Sequence, residues 1–132
     1  MKVPVPAFAL SRPRFPAPAL LQAAAEAPHG GGREALMAGV MAVRLLSAGI
    51  GPEALTPDTR TRRAEAIRAW LPAVTLAPAV RTAVLRAVAA SEGAEATTTA
   101  EAVVHLRDAL DSMLTGAARR ELSTLAAQFR RS

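Results

Sequence analysis

The residues best suited to chemistry in this chain are Glu101, His105 and Asp108. Spaced four and three apart, they share one face if the stretch is helical. A carboxylate, an imidazole and a second carboxylate on one face could hold a metal ion or supply a general base. Ligands on a single helix do not close a metal site, and the only other imidazole, His29, stands beside a glycine run far away in sequence. The chain has no cysteine and no tyrosine, so no set of nucleophile, base and orienting group can be assembled. The trio therefore reads as a solvated, ion-paired face. No catalytic residue, metal ligand, cofactor or small-molecule substrate is expected, and the protein is not expected to be an enzyme.

A second cluster carries charge. Arg60, Arg62, Arg63 and Arg68 fall within nine residues, with Arg81 and Arg86 further on. A row of guanidinium groups can neutralise phosphates or meet an acidic protein surface. Sequence-specific readout would need polar readers on the second helix of a turn-linked pair. Single-strand binding would need stacking aromatics, and Trp70 falls on the apolar side. The net charge of +5 is carried almost wholly by arginine, a preference that also follows genomic base composition. The charge is segregated: +3 over residues 1–25, 0 over 26–52, +3 over 53–91, −4 over 92–116 and +3 over 117–132. Non-specific nucleic-acid binding through the arginine face, alone or in a nucleoprotein assembly, is thus the alternative expectation. Gly30, Gly31 and Gly32 precede a helix and could suggest a phosphate cradle. That motif needs glycines at set spacings after a strand, and none precedes them, so the run reads as a hinge.

A third group suits docking. Residues 1–17 hold Pro4, Pro6, Pro13 and Pro16 together with Val5, Phe8, Leu10 and Phe15. Proline fixes φ and removes amide donors, so the segment is expected to be an extended arm. Its apolar residues fit packing on its own domain or on another subunit.

The remaining residues, 18–132, read as a single helical domain. Glu34–Ile50 is the longest apolar run, interrupted after Glu34 only by Arg44. Leu36, Val40 and Val43 form one row, and Met37, Met41 and Leu45 another beside it. Helices apolar over most of their circumference are buried. A membrane span needs about 20 apolar residues and tolerates a central charge poorly, so this run reads as the core helix of a soluble bundle. Gly39 within it costs about 1 kcal/mol of helix propensity, which points to a packing reason.

Around it, the sequence predicts a short helix near Pro18–Ala27 and one opening at Thr56-Pro57. The latter carries Ile67, Trp70, Leu71 and Val74 and is broken by Pro72. Another should open at Pro78 with Val80, Val84 and Val88 in a row and Leu85 beside it. Ser91–Ala96 reads as an acidic turn around Gly93, followed by a capping box at Thr98 and Glu101. The next helix should carry Val103, Leu106, Leu110, Met113 and Leu114, pair Arg107 with Asp111, and stop at Gly116. The last should run from Ala117 to Arg130 with Leu122, Leu125, Ala126 and Phe129 inward.

No strand alternation is present. The expected fold is all-α, a small bundle of five or six short helices with an extended arm. Its apolar content is mainly alanine, with three Phe and one Trp, so the core should be thin and tightly spaced. The expected function is a non-enzymatic accessory or adaptor subunit that binds another protein or self-associates. No secretory signal is convincing and membrane association is not expected, so a cytoplasmic location is the natural reading.

Overall fold

Proline sets the start of three helices, because its fixed φ suits the first turn and its missing amide is not needed there. The computed structural model describes residues 17–28, 32–48, 56–93 and 96–131. Among them are six α-helices and no strand: α1 Pro18–Glu26, α2 Arg33–Ser47, α3 Pro57–Trp70, α4 Pro78–Gly93, α5 Ala96–Leu110 and α6 Gly116–Arg131. Short 3-10 turns at Leu71–Ala73 and Asp111–Met113 follow α3 and α5. The protein is an all-α small bundle, as the periodicity predicts. Of the arm, only Ala17 falls among the described residues, and it is fully buried.

The expected core helix is α2. Leu36, Met37, Val40, Met41, Val43, Leu45 and Leu46 are all buried, and so are the small residues between them. It packs against α1, α3, α4 and α5, while α6 closes the bundle on α5 and α1. The reason for Gly39 is Leu110: a Cβ at position 39 would lie 2.7 Å from the Leu110 δ-carbon. Leu110 is itself fully buried, so it has little room to withdraw. Gly32, which caps α2, has φ of 115°, a region that favours glycine. A Cβ there would meet the Met113 sulfur at 3.0 Å.

Polar groups fix the helix ends. Thr56 caps α3, its hydroxyl accepting from the Thr59 amide at 3.3 Å. Pro72 ends α3 as expected, and Arg81 secures the turn by donating to the carbonyls of Leu71 and Val74, each at 3.0 Å. The cap of α1 comes from another helix. Glu121 of α6 accepts from the amides of Ala19 at 2.9 Å and Leu20 at 3.1 Å, placing a carboxylate where the helix dipole favours one.

Three boundaries differ from expectation. Ser91–Gly93 belong to α4 and Ala96 already begins α5, so the turn expected over Ser91–Ala96 is not found at those four residues, and residues 94–95 lie outside the described set. Thr98 is then the third residue of α5, too far inside to be its N-cap. Gly116 opens α6 instead of ending α5, because the Thr115 hydroxyl caps the new helix through the Ala118 amide at 3.1 Å. Met113 and Leu114 consequently lie beyond α5, Leu114 buried and Met113 half-buried. Arg107 and Asp111 do not pair with each other: Arg107 bonds Asp108 and Ser123, and Asp111 bonds Arg119. The Gly-Pro stop expected at Gly49–Pro52 lies outside the described residues.

Gly39→Ala is expected to lower stability by about 1 kcal/mol, the net of overpacking against a gain in helix propensity. Because Leu110→Ala opens the same space, the double variant should lose less than the two single losses added. Chemical denaturation of the four proteins measures the coupling, and simple additivity would refute the contact. Glu121→Ala should cost roughly 1–2 kcal/mol and speed amide exchange in α1 ahead of exchange in α3 and α4.

Candidate functional site

The trio proposed for chemistry does not assemble. His105 Nδ1 lies 3.0 Å from Arg86 Nη1 and 3.2 Å from the Glu101 carbonyl oxygen. A guanidinium only donates, so the Arg86 contact needs a lone pair on Nδ1 and the ring proton on Nε2. The Glu101 contact needs a proton on Nδ1, so the two are alternatives. Asp108 accepts from Arg107 Nη2 at 3.1 Å and Nε at 3.3 Å. Among the described residues, no three His, Cys, Asp or Glu side chains are placed to hold a metal ion. His29 lies outside that set.

The arginine cluster is largely committed to the fold. Arg60 Nη1 donates to the Ser91 carbonyl at 3.3 Å, and Arg68 forms an ion pair with Glu92. Both contacts join α3 to the end of α4. Arg62 is exposed and reaches Thr59 on its own helix at 3.4 Å. Arg63 is half-buried, and burial pushes its guanidinium below the ordinary arginine value. Arg44 on α2 is lowered too, by burial first and then by the charge of Arg63. The unfolded chain holds these protons more tightly than the fold does. Stability would therefore rise with pH only where guanidinium groups deprotonate, and the cost is constant around neutrality. Such a set is a helix-to-helix tie more than a continuous basic stripe. The arm residues Val5, Phe8, Leu10 and Phe15 lie outside the described residues.

What the sequence did not reveal is the outer face of α4 and α5. Between these helices runs an open groove of about 500 Å³. Ala79, Ala83 and Ala109 give it an apolar lining, and Thr82, Arg86, His105 and Asp108 provide its polar atoms. Leu85, expected beside the inward valine row, is 43 % exposed and is the only large apolar side chain so exposed among the described residues. Its neighbours Val80, Val84 and Val88 are buried, and at about 100° per residue Leu85 is rotated away from them, onto the solvent side. A smaller groove of about 360 Å³ lies between α1 and α6, but its Glu121 is occupied in capping α1.

Among the described residues, bundle and groove define a small helical protein with an open, alanine-lined face between α4 and α5. Compared with family models, curated proteins and solved structures, the chain matches none. Among the described residues no helix is long and apolar enough to cross a membrane.

The Arg68–Glu92 pair is exposed, and such pairs contribute roughly 0.2–1 kcal/mol, screened by salt. Arg68→Ala should therefore lower stability slightly at low ionic strength. Urea denaturation of wild type and variant should converge in molar salt, and a gap independent of salt would show that the pair is not the cause.

Proposed function

We propose that this protein is a non-enzymatic helical adaptor or accessory subunit that docks another polypeptide on its α4–α5 face. One observation carries the reading: a groove of about 500 Å³ lined by alanine runs between α4 and α5, and the one large apolar side chain so exposed among the described residues, Leu85, is on the solvent side of the same α4. Small residues let another backbone approach closely, and a leucine on the same helix supplies an apolar anchor. Burying Leu85 fully would gain roughly 1–2 kcal/mol from the area it now exposes. Arg86 and Asp108 would fix orientation at the rim, where charges influence encounter and register more than raw affinity. Arg86, His105 and Asp108 of the groove already engage one another or their own helix, which suits recognition better than catalysis.

Nucleic-acid binding through α3 has weaker support, since Arg60 and Arg68 are tied to α4. It predicts a gel shift at low salt that falls steeply as salt rises and is lost when Arg60, Arg62 and Arg63 are replaced by alanine.

The adaptor reading predicts that a polypeptide of different sequence co-purifies with the wild-type chain in fixed proportion from its native host. Leu85→Asp should abolish that retention while leaving helix content and melting temperature unchanged. Equal retention by Leu85→Asp would place docking elsewhere, and the absence of any stoichiometric partner would remove the reading.

A further inference from the structure

Residues 1–16 lie outside the described set, and the last residue of the arm, Ala17, shows where they join the bundle. Ala17 is fully buried, so the chain reaches α1 against the bundle and not from open solvent. Prolines stand at positions 16 and 18, and the residue before a proline is turned out of the helical region. Ala17 accordingly has φ of −135° and ψ of 67°. The same restriction applies to Phe15. In extended backbone, residues two apart face the same side, so Phe15 is expected on the side where Ala17 is buried. Two residues of chain span at most about 7 Å, which keeps Phe15 next to the first turn of α1.

The groove of about 360 Å³ between α1 and α6 lies at that end of the helix. Of the described residues of α1 only Ala19, in the first turn, lines it, whereas α6 contributes residues from Ala117 to Gln128. The amides of Ala19 and Leu20 point out of the N-terminal end of α1, and Glu121 on the same stretch of α6 holds them. Ala19, Ala117 and Leu125 give the groove an apolar wall, with Arg120 and Thr124 exposed at its edge. An aromatic ring suits such a place, because its faces pack on methyl groups and attract a guanidinium. The prolines that hold the arm extended also reduce the freedom lost when it docks.

We infer that the α1–α6 groove is the seat of the N-terminal arm of the same chain, with Phe15 filling it against Ala19, Ala117 and Leu125. Its occupant is this segment, not a ligand or a second polypeptide, and the inference stands apart from the reading of the α4–α5 face.

The test uses the full chain in solution. Carbon-edited NOE spectra should connect the Phe15 ring to the methyl groups of Ala19, Ala117 and Leu125. In a mixture of isotope-labelled and unlabelled chains, no such connection should cross between copies. Phe15→Ala should lower the melting temperature by roughly 4–8 °C, while Phe15→Leu, which keeps a large apolar side chain, should lose less than half of that. Thr124→Arg crowds the edge of the groove. It should lower the melting temperature of the wild type more than that of Phe15→Ala, since only the wild type has a ring to displace. Absence of the NOE connections overturns the inference. So do connections found only between copies, which would assign the groove to the arm of another chain. A Phe15→Ala protein that melts with the wild type overturns it as well, and so does an equal effect of Thr124→Arg in both backgrounds.

Discussion

At Gly39 the backbone of α2 comes so close to α5 that a Cβ there would fall 2.7 Å from the δ-methyl of Leu110. Much else depends on it. Helix axes come together only as far as the side chains between them allow. The described core contains a single Trp and a single Phe, and much of the rest is alanine, leucine and valine. With so little bulk available, dispersion and apolar burial must come from proximity. α2 can be surrounded because Ala35, Ala38, Gly39 and Ala42 leave its surface smooth, and all four are buried. Larger residues there would hold the neighbours off and open voids that the remaining side chains are too small to fill.

Smooth helices pack closely but fix their register weakly, so polar contacts at the helix ends must do that. Arginine supplies many of them. Arg33 donates to the carbonyls of Ala27 and Ala25 at the end of α1, Arg60 to Ser91 at the end of α4, and Arg81 to Leu71 and Val74 after α3. Arg119 holds both the side chain and the carbonyl of Asp111. Carbonyls near a helix C-terminus have no partner within the helix and carry partial negative charge. A planar fork of donors on a long stem can reach them from a neighbouring helix. The basic composition is thus used substantially inside the fold, which makes net charge a poor guide to an external anion.

This division explains what the sequence disclosed. Features set by local chemistry were legible: Thr56-Pro57 and Pro78 as helix starts, Pro72 as a stop, the all-round burial of α2, and a packing role for Gly39. The junction of α5 and α6 was not. Leu114 continues the spacing of Leu106 and Leu110 although it lies past the helix, and periodicity reports burial without reporting which element provides it. Gly116 looked like a terminator because glycine is common there, while the hydroxyl of Thr115 just before it makes a competing start. Pairs such as Arg68–Glu92 and Arg86–His105, separated by 24 and 19 residues, are formed by tertiary packing and fall outside any i,i+4 rule. Leu85 was misplaced for the same reason. Its apolar character was visible, but which flank of α4 its neighbours leave open depends on where α2, α3 and α5 sit.

The groove between α4 and α5 and the thinness of the core then become one feature. Ala83 is buried and Ala109 half-buried. At such positions a small side chain lets the two helices meet on the inner side and leaves the outer side unfilled. Leucine at either would close the groove and push the helices apart where α2 needs them close. A bundle built on alanine proximity therefore acquires shallow, apolar-lined channels along its surface wherever two helices diverge. In the channel between α4 and α5 the larger polar groups are Arg86, His105 and Asp108, set against the alanines that leave it open.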